Sequence, residues 1–177
     1  MLSISLLVSN TAFAEFSIQH AETRLVEKVY QLDAKLNYQL TDEVKKALNN
    51  GVSIPLVLSI EIRRERWYIW DEKIASLKQR YQLKYYALSR QYVIHYQNTG
   101  VQKAFSSIEA ALKYLGELID FPLLDKTLVK SNDSYIVYLK TYLDIEALPV
   151  PLRPIAYFSS EWRLTSEWFA CPLQPRP

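Results

Sequence analysis

From Tyr30 to Leu40 the chain alternates without a break: Tyr30, Leu32, Ala34, Leu36, Tyr38 and Leu40 are apolar, while Gln31, Asp33, Lys35, Asn37 and Gln39 are polar. A period of two puts one set on each face of a pleated ribbon, so this stretch predicts a half-buried strand. Thr41 is placed to cap a short helix over about residues 42–49, with acids in the first turn, Val44, Ala47 and Leu48 on one face, and Gly51 at the C-terminal turn. A second alternation, through Ile54, Leu56, Leu58, Ile60 and Ile62, predicts the next strand, with Ser59, Glu61 and Arg63 outward.

That strand runs into RRERWYIWDEK, residues 63–73. Continued alternation would bury Arg64 and Arg66, while the opposite face changes from Glu61, Arg63 and Glu65 to Trp67 and Ile69. One strand cannot bury both faces in this way, so a bulge or bend is expected near residues 63–66. Glu61, Glu65, Asp71 and Glu72 are close enough in sequence to neutralise the arginines, which makes a self-paired, solvated corner the plainer reading and a contact patch the sharper one.

Farther on, a helical turn is expected around Ile74 and Leu77, strands over 81–88 and 91–97, and a hairpin turn at Asn98-Thr99-Gly100 leading into VQKAF. Ser106 and Glu109 have the spacing of a capping box for a helix over about 107–116, with Ile108, Ala111, Leu112 and Leu115 on its apolar face. A loop rich in Pro, Asp, Ser and Asn is expected next, then the strand YIVYLKTYLDI, then an extended connection through LPVPLRP. The tail, from Ile155 to Leu173, predicts one or two closing strands with Trp162, Leu164 and Trp168 on one side. Many short strands with two brief helices indicate a mainly β chain, a two-sheet antiparallel β-sandwich.

Composition narrows the chemistry. With 177 residues, 49% hydrophobic and 13% aromatic, the chain can build one domain with a substantial core, expected over residues 15–177. The charge of +2, from 21 basic and 19 acidic residues scattered along the chain, does not make the field that nucleic-acid binding uses. Three glycines are too few for phosphate-cradling loops. The single Cys171, among Trp168, Phe169, Pro172 and Leu173, is expected to be a buried packing residue. With two histidines, His20 and His95, a three-histidine zinc site is impossible and a site of two histidines and a carboxylate would need both to converge, so no metal or other cofactor is expected. A Ser-His-Asp triad remains open, because its members can be distant in sequence, but no G-x-S-x-G elbow occurs, and no catalytic residue is assigned.

The first fourteen residues, MLSISLLVSNTAFA, are apolar through Leu2, Ile4, Leu6, Leu7 and Val8 and end in Ala12-Phe13-Ala14. This pattern predicts a secretory signal peptide cut before Glu15, although no Lys or Arg precedes Arg24. A buried N-terminal strand is the alternative. No other apolar run approaches the ~20 residues of a membrane span, so the mature chain is expected to be periplasmic without one.

Several segments together resemble a proteobacterial family described as domain of unknown function 4390, over roughly residues 25–173. They are Ala47-Leu48 with Gly51-Val52; Arg66-Trp67 with Asp71; Tyr85 with Leu88-Ser89-Arg90-Gln91-Tyr92; Leu148-Pro149 with Leu152-Arg153-Pro154; and Trp162 with Ser166 and Trp168. The resemblance implies an exported bacterial protein, often encoded beside a ribosomal-RNA methyltransferase and a membrane histidine kinase, with no catalytic residues to transfer.

The expected function is therefore that of a non-catalytic binding module of the bacterial envelope, with an envelope protein as partner. Arg64, Arg66, Tyr68, Arg90 and Arg153 are its candidate contacts, since exposed Arg and aromatic side chains dominate interfaces. The competing expectation is a hydrolase, or a carrier holding a small apolar ligand between the sheets, which would need a cavity of several hundred Å³ with convergent polar groups.

Overall fold

The computed structural model describes residues 15–65, 71–130 and 132–174. The expected leader and the predicted positions Arg66, Trp67 and Tyr68 lie outside that set.

The chain forms two antiparallel sheets, as the alternation predicts. The smaller has the order β1-β2-β7, built from β1 (Ser17–Val26), β2 (Val29–Asn37) and β7 (Glu117–Asp125). The larger has the order β6-β5-β4-β3-β8-β9, built from β3 (Ile54–Arg64), β4 (Glu72–Tyr86), β5 (Gln91–Tyr96), β6 (Gln102–Phe105), β8 (Tyr135–Leu143) and β9 (Phe169–Pro172). Helices α1 (Asp42–Asn49), α2 (Ile108–Leu115) and α3 (Arg153–Phe158) are short. The core lies between the sheets: Leu32, Leu36 and Tyr38 from β2 and its exit face Ile54, Leu56, Leu58, Ile60 and Ile62 of β3 and Val137 and Leu139 of β8. β3 sits between β4 and β8 and is covered on its other face too, at Val57 and Ser59.

The predicted irregularity exists, but the extra residue is on the partner strand. Ile62 faces Ala75 and Arg63 faces Lys73, leaving Ile74 as the bulge, while β3 keeps unbroken register with β8 up to Arg64–Tyr135. The bulge also explains why no helical turn forms at Ile74 and Leu77. An inserted residue switches the side-chain parity, so two positions three apart both pack on the core in one continuous strand.

Three further expectations are corrected. Residues 117–125, read as loop, form β7: Pro122 is tolerated because this is an edge strand, and Asp120, at φ 55°, sits in a bulge where its N–H donates to Asp33 Oδ1 at 2.7 Å. LPVPLRP is not extended, since Val150–Leu152 is a 3-10 turn that leads directly into α3. Pro149 caps the 3-10 turn and Pro151 and Pro154 fall in the first turns, where a missing N–H costs no helical bond. Of the closing strands only β9 forms, with Thr165 making one bridge to Tyr142; Trp162 and Leu164 are buried, but Trp168 is 44% exposed beneath the Lys140 ammonium.

The seams between the sheets are closed differently. On one side the Thr23 hydroxyl of β1 donates to the Pro172 carbonyl at 3.0 Å and accepts from Gln174 N–H at 2.9 Å. On the other, α2 contacts β2, β5, β6 and β7. Its cap is Ser107, one residue after the predicted Ser106, with the hydroxyl accepting from Ala110 N–H at 3.1 Å. Its C-terminal Gly116 accepts a hydrogen bond from Leu36 N–H at 2.8 Å. At α1, the Thr41 cap accepts from Val44 N–H at 3.2 Å, as its position predicts.

Candidate functional site

At the outer end of β3 the charges satisfy one another. Arg63 donates to Glu61 Oε2 through Nε at 3.1 Å and Nη2 at 2.6 Å, Lys73 Nζ donates to Glu61 Oε1 at 2.6 Å, and the Arg63 guanidinium lies 4.9 Å from the Tyr138 ring centre. Partial burial raises the Glu61 pKa, but the hydrogen bonds from Lys73 and Arg63 outweigh it and hold the carboxyl below its ordinary range. Arg64 is paired with acids, as its place in the sequence suggests: Nη1 donates to Asp133 Oδ2 at 3.0 Å and Nη2 donates to Glu72. It straps the β3–β4 end to the loop before β8.

The candidate contacts do not converge. Arg64 lies where β4 begins, whereas Arg90 follows the end of β4 in an exposed turn, at φ 53°. The fifteen residues of β4 span roughly 46 Å at about 3.3 Å per step. Arg153 is at the far end as well, after β8, where its Nε donates to the Leu148 carbonyl at 2.8 Å. Arg64 therefore belongs to one end of the sandwich, and Arg90 and Arg153 to the other.

The feature that sequence reasoning missed is at Arg153's end. The turn and helix from Val150 to Phe158 turn Ala156 inward beside buried Leu148 and Trp162, and leave Val150, Ile155 and Phe158 69%, 54% and 89% exposed. Tyr157 is half exposed. This cap is held firmly. Trp162 Nε1 donates to Glu43 Oε1 of α1 at 2.8 Å, and the Thr41 hydroxyl donates to the Glu161 carbonyl at 3.0 Å. Arg163 Nη2 donates to the Tyr157 carbonyl at 3.1 Å, and the Tyr157 hydroxyl donates to Glu146. Pro154, Ile155, Phe158 and Ser159 line an open apolar depression of about 440 Å³. The i, i+3 pair Ile155 and Phe158 was the available signal, hidden by the three prolines before it.

Two other depressions are less apolar. One, of about 430 Å³, follows the α2 seam between Gln19, Lys35, Asn37, Glu109, Lys113 and Glu117. The other, of about 390 Å³, passes Glu65, Asp133, Tyr135 and Cys171. Cys171 is buried, as its apolar neighbours predict, and burial pushes its thiol up to about 11, which keeps it protonated and unreactive. Inside the sandwich, burial pushes the Tyr38 hydroxyl up to about 12, against a hydrogen bond shared with Thr141 at 3.0 Å. Among the described residues no group of three or more His, Cys, Asp or Glu is placed to hold a metal ion, and no helix is long and apolar enough to cross a membrane.

The model of a family described as "Domain of unknown function (DUF4390)" matches residues 14–172. No curated protein and no solved structure matches the chain.

Proposed function

The chain belongs to the DUF4390 family, and from that premise we propose that it is an exported, non-catalytic interaction module of the bacterial envelope whose contact surface is the Val150–Phe158 cap. The observation that carries this reading is the concentration of exposed apolar side chains on a segment pinned by hydrogen bonds to α1. Rigid, exposed apolar groups of this kind mark interaction sites in soluble proteins. The apolar start ending in Ala12-Phe13-Ala14 supports export.

The sheet edges are poorer docking sites. β6 has four residues, β7 is interrupted by the Asp120 bulge and Pro122, and β1 and β9 are joined through Thr23. Short, bulged or covered edges are the usual protection against pairing with a further strand. The α2 groove mixes Lys35 and Lys113 with Glu109 and Glu117, a lining that suits a solvated seam better than an apolar ligand.

The double variant Ile155→Asp, Phe158→Asp tests this reading. Both side chains face solvent, so its denaturant midpoint should stay within about 0.5 kcal/mol of the parent. In affinity capture from envelope extracts it should lose a component, protein or lipid, that the parent retains. Undiminished capture by the folded double variant would exclude the cap as the contact.

A further inference from the structure

The cap lies at the end of the sandwich from which the N-terminal segment departs. Phe16 packs edge-on against Tyr38 with ring centres 5.0 Å apart, and Ser17 pairs with Asn37. Just beyond Tyr38, the Thr41 hydroxyl reaches the Glu161 carbonyl, which follows Phe158 closely in the chain. Residues 1–14, carrying Leu2, Ile4, Leu6, Leu7 and Val8, are thus tethered at Glu15 beside the cap. Fourteen residues reach at most about 50 Å, so until the leader is cut before Glu15 a bilayer that takes up this stretch keeps that end of the protein within reach of its surface.

The cap itself suits such a surface. Its apolar groups are few and projecting, on one turn and a six-residue helix, whereas a stable protein interface covers about 800 Å² on each partner. A bilayer boundary accepts a small cluster of projecting apolar tips, places an amphipathic tyrosine such as Tyr157 at headgroup level, and lets arginines reach phosphates. Arg153 and Arg163 flank the tips, and their bonds to the Leu148 and Tyr157 carbonyls each use one of a guanidinium's five donors.

We infer that the cap seats on the surface of a lipid bilayer, with Val150, Ile155 and Phe158 at the acyl boundary and Arg153 and Arg163 at the phosphates. This rests on the cap being the contact surface. The full chain, with Cys171→Ala and Val150→Cys, is labelled at position 150 with an environment-sensitive fluorophore. It is then titrated with vesicles of phosphatidylethanolamine and phosphatidylglycerol, and separately with vesicles of phosphatidylcholine.

The expected result is a blue shift at position 150 with both, absent when the label is at Lys113→Cys and abolished by Ile155→Asp with Phe158→Asp. This local readout is independent of any hold that residues 1–14 have on the vesicles. Arg163→Ala should raise the half-saturating concentration about fivefold on the anionic vesicles and leave the zwitterionic titration unchanged. An aqueous spectrum at position 150 at every vesicle concentration overturns the lipid assignment. If a photocrosslinker at position 158 then joins a protein in cells, the cap still serves as a contact, with a protein partner. If it joins nothing, the contact surface falls as well.

Discussion

Trp162→Ala is expected to lower the unfolding free energy by about 3 to 5 kcal/mol, measured by denaturant titration, because it empties the space of a large, nearly fully buried indole. The side chain sits under α3 and bonds to Glu43 of α1, so its loss also removes the joint between the cap and the sandwich. Trp162→Phe keeps most of the volume and loses the N–H, and should cost about 1 kcal/mol, since Glu43 is exposed and regains water. A cost below about 1 kcal/mol for the alanine variant would mean that the indole is not part of the core.

Gly116→Ala is expected to cost about 3 kcal/mol, an unusual penalty for the smallest side chain. Gly116 has φ −77°, so backbone strain is not the reason. A Cβ there would stand 2.3 Å from the Leu36 carbonyl oxygen, and the obstacle is backbone rather than a movable side chain. Relief requires α2 to retreat from β2, which breaks the Leu36 N–H to Gly116 hydrogen bond that closes the seam. Gly51→Ala is the control for the opposite cause. It has φ +86° and open space around the missing Cβ, so it should cost about 1 kcal/mol from conformational strain alone. Equal costs at the two glycines would contradict the close approach.

How much of this fold the sequence discloses depends on how each segment is held. β2 and the inner face of β3 were legible because one residue in two meets the core, and α1 because Thr41 and its first-turn acids act locally. The first half of β4 was not, because its spacing includes a bulge, and it is a strand because β3 supplies a pairing partner on both sides of that bulge. β1 gave little alternation, with a register shift between Ile18 and His20 and charged Glu22 and Arg24 facing solvent, and β7 looked like loop because Asp120 and Pro122 break ordinary strand rules on an edge where those rules relax. The α3 cap failed for another reason. Three prolines argue for extended chain unless they fall in first turns, which only the positions of Leu148 and Trp162 in the core decide.

The candidate site was legible only in part. That Arg64 would find carboxylates followed from the acids on either side, although Asp133 comes from far along the chain. Arg90 and Arg153 could not be separated from Arg64 without the length and direction of β4. Exposure of Ile155 and Phe158 was hidden as well, since apolar residues in a sequence carry no mark of which will find a partner.

The measurement that bears most directly on the central claim compares the cap with the best exposed edge. A photocrosslinking amino acid is placed at Phe158 or at Ile119 of β7, itself 69% exposed, in cells that make the full chain. If the cap is the contact surface, irradiation gives an adduct, to lipid or protein, from position 158 and none from position 119. An adduct from position 119 with none from position 158 would contradict the account and move the contact to the edge of the small sheet.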